Sequence, residues 1–266
     1  MAEKTYTWNS ADYAQHASAQ HQWAEELILK LHLQETESIL DIGCGDGKMT
    51  LSLAEKVPKG NVVGVDSSEN MIELAQERLV DSTHQNVSFF LMDATALRFE
   101  NQFNVVFSNA ALHWTKNHTA MLNGVKRSLK EQGRILLQMG GKGNAQDIID
   151  VVHMLIETEK WRQYFNGFSF PYAFYGPEEY EQWLKQVGLK QKRLELIPKD
   201  MTQEGREGLA GWIRTTWLPY TQRVPEQLQE TFISEIVDSY IQTFPLDEQG
   251  KVHVKMVRLE VEATKP

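Results

Sequence analysis

The sequence predicts an α/β fold with a mostly parallel sheet covered by helices on both faces. Three observations predict it. Short, nearly continuous apolar runs alternate with segments of helical periodicity through residues 36–140. The first run ends in a glycine-rich turn, and an acidic residue stands at the tip of each of the first three. Later in the chain a long helical stretch separates two further strand-like runs.

Each element has its own reason. Residues 1–22 are polar with interspersed Tyr6, Trp8 and Tyr13. Trp23, Leu27, Ile28 and Leu31 then recur at helical spacing. Apolar runs over 38–42, 61–65, 87–92, 103–108 and 134–139 read as strands, with helices over 48–56, 69–79 and 116–129 between them. A helix is expected over 145–165, with Ile148, Ile149, Val152, Leu155 and Ile156 on one side. A Gly/Pro/aromatic loop over 166–177, a helix over 178–186 closed by Gly188, and strands over 191–197 and 252–262 follow. Roughly fifty residues separate those last strands, against a usual connection of ~4–6. They carry Leu228, Phe232, Ile236, Tyr240 and Phe244 at helical spacing, flanked by Ile233, Val237 and Ile241, with Pro225 placed to start the helix. Such an insertion is either a lid over a ligand or a packing element. The expected organisation is one domain over 1–266. It comprises an N-terminal helical segment over the active site (1–35), a ligand-binding core (36–140) and a helical cap (145–177 and 199–250).

The chain of 266 residues carries 27 Lys and Arg against 36 Asp and Glu, a net charge of −9. That balance disfavours a general partnership with nucleic acid. Cys44 is the only cysteine, which excludes an intramolecular disulfide and a cysteine-based zinc site. His16 and His21 lie five apart with no carboxylate cluster beside them, so no metal site is expected. No apolar run approaches the ~18 residues of a membrane span, and Met1-Ala2-Glu3-Lys4 does not open a secretory signal. The expected location is the cytoplasm. The state is expected to be a monomer or homodimer, without nucleic-acid or membrane partners.

The chemistry concentrates at the strand tips. Asp41-Ile42-Gly43-Cys44-Gly45-Asp46-Gly47 follows the first strand and opens a helix. Its G-x-G-x-G spacing departs from the dinucleotide fingerprint G-x-G-x-x-G, and Lys48 stands where the third glycine would be. Asp41 would repel a pyrophosphate and suits a cationic ligand such as S-adenosylmethionine, with its sulfonium and ammonium groups. Its other reading is a carboxylate that only ties down loop amides. Asp66, 19 residues after Gly47, can accept both hydroxyls of an adenosine ribose or cap the next helix, a job that Ser67 and Ser68 can also do. Met71 can lie over the adenine or pack in the core. Asp93 can accept from the adenine amino group while Ala94 offers its backbone N–H; otherwise Asp93 is a solvated loop residue. Cys44 reads as a small loop residue, since no base is paired with it.

These residues, with Ser108-Asn109-Ala110-Ala111-Leu112-His113-Trp114 closing the fourth strand, resemble the class I S-adenosylmethionine-dependent methyltransferases over residues 36–140. The resemblance implies a Rossmann-like seven-stranded sheet of order 3-2-1-4-5-7-6 with the last strand antiparallel. It also implies S-adenosylmethionine as cofactor and S-adenosylhomocysteine as product. The cofactor residues it implies are Tyr13, Asp41, Gly43, Cys44, Gly45, Asp66, Ser67, Met71, Asp93, Ala94, Asn109 and Ala110. Trp8-Asn9 and Tyr13, the stretch 212–220, and Phe244-Pro245-Leu246-Asp247-Glu248-Gln249-Gly250-Lys251-Val252 followed by Arg258-Leu259 resemble the trans-aconitate methyltransferases. Residues 225–232 and Leu112-His113-Trp114 resemble the juvenile hormone acid methyltransferases. Both groups methylate carboxylates. The chain departs from the first at Leu218, before Pro219, where that group carries an arginine; Arg214 lies one turn earlier. Phe174, Trp217, Leu218 and Tyr220 suit a more apolar monocarboxylic acid.

A carboxylate is ionised near neutral pH and needs no general base. What it needs is donors that aim one oxygen at the methyl group, with alignment contributing on the order of 7–11 kcal/mol. Candidates are Gln20, Gln22, His113 and the Trp114 indole N–H. Methylation of a hydroxyl, amine or carbon centre is the alternative, with His113 as base. A nicotinamide-dependent oxidoreductase and a non-catalytic cofactor-binding module are the remaining readings.

Overall fold

Near-continuous burial along the inner strands, covered on both faces, builds the sheet. In the computed structural model, which describes residues 18–266 (the side chains of 18–22 and 24 excepted), helix α1 spans Ser18–Lys30. Strand β1 is Ser38–Ile42, helix α2 Lys48–Lys56, strand β2 Asn61–Asp66, helix α3 Glu69–Val80 and strand β3 Val87–Leu91. Strand β4 is Phe103–Asn109, helix α4 His118–Ser128 and strand β5 Leu129–Gly140. Helix α5 (Gln146–Ile156), helix α6 (Pro177–Val187) and strand β6 (Lys190–Gln203) follow. Helices α7 (Gly205–Thr216), α8 (Leu218–Thr221) and α9 (Glu226–Thr243) precede strand β7 (Val252–Thr264). The seven strands order as β3-β2-β1-β4-β5-β7-β6, as expected. The pairs β3/β2, β2/β1, β1/β4 and β4/β5 are parallel, and β7 runs antiparallel to β5. The order reverses between β1 and β4, which opens a crevice at the carboxyl ends of these strands.

The chain forms two compact units. One comprises 20–142, 172–197 and 257–266; the other gathers 143–171 and 198–256. The stretch 172–177, grouped with the helical insertion on sequence grounds, clusters with the first unit. In that first unit, neighbouring strand residues serve opposite faces. Leu40, Val106, Leu137 and Val261 pack with α4 and α6 residues such as Met121, Val125, Tyr180 and Leu184. Ile39, Val105, Phe107 and Leu136 pack against Leu27, Ile28 and Leu31 of α1 and Leu53 of α2.

Helix α1 is also held by charge. Lys30 Nζ donates to both oxygens of Glu260 at 2.9 and 2.7 Å. Glu260 is 1 % exposed and also accepts from Gln138 Nε2 and from Arg193 of β6. Two helical turns earlier, the Trp23 ring lies 5.0 Å from the guanidinium carbon of Arg258. Arg258 and Glu260 share one face of β7, so the helix is fastened to that strand at two points.

In the second unit α5 stops at Ile156, nine residues before the expected end of that helix. The polar run over 157–160 offers no apolar face. The Thr158 hydroxyl takes the Leu155 carbonyl at 2.7 Å, and the chain turns. Trp161 then buries against Phe232 of α9 (4.9 Å between ring centroids) while its indole N–H donates to Glu235 at 2.7 Å. Strand β5 starts at Leu129, five residues before the expected 134. The β4/β5 register shifts between Phe103 and Val105, and Gln132 turns in the left-handed region at φ 61°. Among the described residues no helix is long and apolar enough to cross a membrane.

Removing one member of a buried charge cluster leaves its partners uncompensated. Glu260→Ala is expected to lower stability by about 3–5 kcal/mol in urea unfolding. Lys30→Met, whose side chain is partly exposed, is expected to cost less than about 1 kcal/mol.

Candidate functional site

The glycine turn after β1 is strung between two strands. The amides of Gly43 and Cys44 donate to the Val65 carbonyl of β2 at 2.8 and 3.0 Å. The next amide, Gly45 N–H, donates to Asp66 Oδ2 at 3.0 Å, while Asp66 Oδ1 accepts from Ser68 N–H at 2.9 Å. This path requires glycine. Gly43 has φ 73°, and a Cβ there would stand 2.1 Å from the Ala111 Cβ. Gly45 has φ 54°, but a Cβ there would meet nothing within 4 Å. The turn is packed against the loop after β4 at one glycine and faces open space at the other, where a ligand can approach the backbone.

Asp41 is 2 % exposed and accepts a 2.6 Å bond from the Thr50 hydroxyl of α2. Burial pushes its carboxyl up to about 7, against the Thr50 bond, and the charge of Asp66 pushes the same way. Burial also raises Asp66, against the amides of Ser68, Gly45 and Ser67. The donors holding both acids are neutral, so the pair favours a cation beside it. Burial, with the charges of Asp41 and Asp66, lifts the Cys44 thiol far above its ordinary range, which makes it inert as a nucleophile. Met71 is buried in α3, and Ser67 is exposed beside the turn. Asp93, at the end of β3, is exposed and caps the short 3-10 helix Ala94–Ala96 through Thr95 N–H at 2.6 Å.

The tip of β4 carries backbone strain. Ala110, just past Asn109, sits at φ 54° with its N–H on the Gln138 carbonyl at 2.8 Å. The buried Ser108 hydroxyl bonds the Ile42 carbonyl at 2.7 Å and ties β4 to β1. The 3-10 turn Leu112–Trp114 follows. His118 braces it, with Nε2 3.1 Å from the Leu112 carbonyl and 2.8 Å from the Thr115 carbonyl.

His113 is the polar centre of this end of the sheet. The Gly140 N–H donates to its Nδ1 over a long 3.4 Å. That contact assigns the acceptor nitrogen to Nδ1 and the ring proton to Nε2. Burial first, then the charge of Arg258 and the neighbouring His118, depress its pKa to about 3. The ring is therefore a neutral donor at physiological pH. Trp114, Tyr172 and Phe174 surround it at centroid distances of 5.9, 6.0 and 5.9 Å, with Tyr172 and Phe174 stacked at 5.4 Å. The Ala173 N–H bonds the His113 carbonyl at 2.7 Å and pins the aromatic segment.

His113, Trp114 and Phe174 thus come together. Trp217, Leu218 and Tyr220 belong to the interior of the helical unit, where all three are buried. The Tyr220 hydroxyl meets His153 Nε2 at 3.1 Å, and its ring packs on Phe168 and Trp217. Arg214 pairs with Glu230 at 3.0 Å. Tyr13, and the side chains of Gln20 and Gln22, lie outside the described residues. Sequence reasoning did not single out Thr50, His118 or Tyr172, and it met Arg258 only with Leu259 in the resemblance to the trans-aconitate methyltransferases. Of the first three, only His118, a few residues after His113 at a helix start, carried any signal. Among the described residues no group of three or more His, Cys, Asp or Glu is arranged to hold a metal ion.

Two predictions follow from the turn and its acids. Gly43→Ala is expected to destabilise the protein by roughly 2–4 kcal/mol. Gly45→Ala should cost only about 1–2 kcal/mol yet weaken binding of an adenosyl ligand at least tenfold; thermal unfolding and titration calorimetry separate the two. With the folded pKa of Asp41 above its unfolded value, the folded state binds the extra proton between about 4 and about 7. Stability of the ligand-free protein should therefore fall as pH rises through that window, and affinity for a sulfonium ligand should rise. Asp41→Asn is expected to flatten both trends, in urea unfolding and calorimetry at pH 5 and pH 8.

Comparison with known proteins agrees with this geometry. A family model described as a methyltransferase domain matches residues 39–133. The uncharacterized methyltransferase C70.08c of Schizosaccharomyces pombe is 30 % identical over 208 residues, covering 76 % of this chain and 78 % of that protein. The trans-aconitate 2-methyltransferase of Shigella dysenteriae serotype 1 is 26 % identical over 260 residues, covering 96 % and 97 %. The solved YcgJ protein of Bacillus subtilis superposes with a TM-score of 0.63 at 19 % identity, over 92 % of this chain and 98 % of that one, and shares the fold. By relatives, by strand order and by the glycine turn between Asp41 and Asp66, the chain belongs to the class I S-adenosylmethionine-dependent methyltransferases.

Proposed function

We propose that the protein methylates a carboxylate oxygen of a small organic acid. The observation that carries this reading is His113, a neutral imidazole whose donor nitrogen is Nε2 and whose Nδ1 faces the Gly140 N–H. With Nε2 already protonated and Nδ1 taken by the Gly140 N–H, a base would have to exchange that tautomer and become a buried cation beside Arg258. A donor has only to keep its proton. A carboxylate acceptor asks for the second role, because it is ionised already.

The cofactor residues fit an adenosyl sulfonium: a turn open at Gly45, an Asp41 carboxyl awaiting a cation, and Asp66 at the tip of β2. Asp41 would face the amino-acid end, Asp66 the ribose hydroxyls, and Asp93 with Ala94 the adenine. Asp93 already caps its own turn through one oxygen. S-adenosylmethionine, when bound, supplies an electrophilic methyl group. The protein's part is orientation: the His113 Nε2–H, and with it the Trp114 indole N–H, fix the acceptor oxygen, and the Tyr172–Phe174 stack excludes water. The likeness to a trans-aconitate 2-methyltransferase supports a carboxylate acceptor. The aromatic surround of His113 favours an acid less polar than trans-aconitate.

The test uses methyl-labelled S-adenosylmethionine with trans-aconitate, decanoic acid and farnesoic acid. Extractable label released by mild base as methanol is the expected outcome; base-stable label would overturn the carboxylate reading. His113→Ala should lower kcat/KM by about 10²–10³. At saturating cofactor, kcat should be flat from pH 7 to 9, whereas an amine or phenol acceptor that must lose its own proton would make it rise with pH.

A further inference from the structure

We infer that His118 is a positioning residue for methyl transfer: its buried imidazole fixes the register between the two segments that form the acceptor end, the turn Leu112–Trp114 and the aromatic stretch 172–175. This rests on the reading of His113 and Trp114 as the groups that orient the acceptor, and extends it to a residue behind them.

The turn is gripped at both ends by one N–H. Thr115 N–H closes the turn on the Leu112 carbonyl at 3.0 Å. The Leu112 and Thr115 carbonyls both lie on His118 Nε2, at 3.1 and 2.8 Å. A carbonyl only accepts, so Nε2 carries the ring proton and shares it between them. His113 and Trp114 stand between the two gripped residues. Rotating the turn to re-aim either side chain would break a bond to that N–H.

The other nitrogen serves the other segment. Burial, against the bonds from the Thr115 and Leu112 carbonyls, depresses the His118 pKa to about 4, so the ring is neutral and Nδ1 is an acceptor. The Tyr180 hydroxyl of α6 donates to Nδ1 at 2.6 Å, with Met139 Sδ 3.2 Å from the same oxygen. Helix α6 follows directly on the aromatic stretch. That stretch is strung on the turn by Ala173 N–H to the His113 carbonyl at 2.7 Å and by the Tyr175 hydroxyl to the Lys116 carbonyl at 3.1 Å. The rings of Tyr175 and Trp183 pack on the imidazole at centroid distances of 4.8 and 5.4 Å. A hydrophobe of equal size would fill this space, but it would bond neither segment.

The competing view is that His118 only packs the start of α4. The two views differ in kcat, because in-line transfer loses about 10²-fold for a misplacement near 1 Å. The experiment takes the acid of the panel with the lowest KM at saturating cofactor. It expresses kcat per S-adenosylhomocysteine-binding site, counted by calorimetry. His118→Phe should lower kcat about 30–100-fold, while the acid KM and the Kd for S-adenosylhomocysteine move less than about threefold. His118→Gln, which keeps an N–H donor for the turn, should recover kcat to within about fivefold of wild type. Tyr180→Phe should lower kcat about five- to tenfold, and it carries the comparison if the His118→Phe variant does not fold. An unchanged kcat, a parallel loss of S-adenosylhomocysteine affinity, or a glutamine variant no better than phenylalanine would overturn the inference while the reading of His113 stands. Full activity in His113→Ala, or a wild-type enzyme that methylates no acid of the panel, would overturn both.

Discussion

Two carboxylates kept out of water at the tips of β1 and β2 are the constraint around which the rest of the cofactor end is arranged. Asp66 holds the Gly45 amide, and that bond sets the path of the turn. The turn in turn presses Gly43 against Ala111, so the loop after β4 is positioned by the loop after β1. Asp41 lies beneath, bonded to Thr50, with burial opposing its charge. A fold selected for stability alone would not bury an acid on a single hydroxyl donor. The arrangement makes sense when a cation completes it.

The acceptor end obeys a different logic, with charges matched within the protein. Helix α1 is bound to β7 through Lys30 on Glu260 and Trp23 on Arg258, two turns apart on the helix and two residues apart on the strand. The antiparallel pairing of β7 with β5 brings Arg258 level with Gly140, whose N–H is directed at His113. A parallel strand at that place would run the other way and put a different residue there.

The strand tips were legible in the sequence because each feature there is local: a glycine spacing, an acid at the end of an apolar run, a helix start. Asp41, Asp66 and the β1–β5 core follow from patterns no longer than a dozen residues. The features that were not legible depend on distant pairing. Thr50 is an unremarkable helix threonine until its helix packs back on β1. Arg258 and Glu260 look like an alternating charged edge, yet both are buried, because α1 from the other end of the chain covers that face. The stop of α5 at Ile156 was missed for a local reason: the apolar Trp161 and Phe165 suggested continued periodicity, whereas the indole of Trp161 is drawn to Phe232 and Glu235 of α9.

On the proposed reading, the electrostatics of the two ends are complementary across the reaction. Transfer of a methyl group from a sulfonium to a carboxylate destroys one positive and one negative charge, a change that a poorly hydrated site favours. Burial foremost, with the Arg258 charge adding to it, keeps His113 neutral, so the ring can orient an acceptor oxygen without taking up a proton. The ester that forms carries no charge and is a weaker hydrogen-bond acceptor than the acid, so it leaves donors aimed at an anion more readily than the acid that entered.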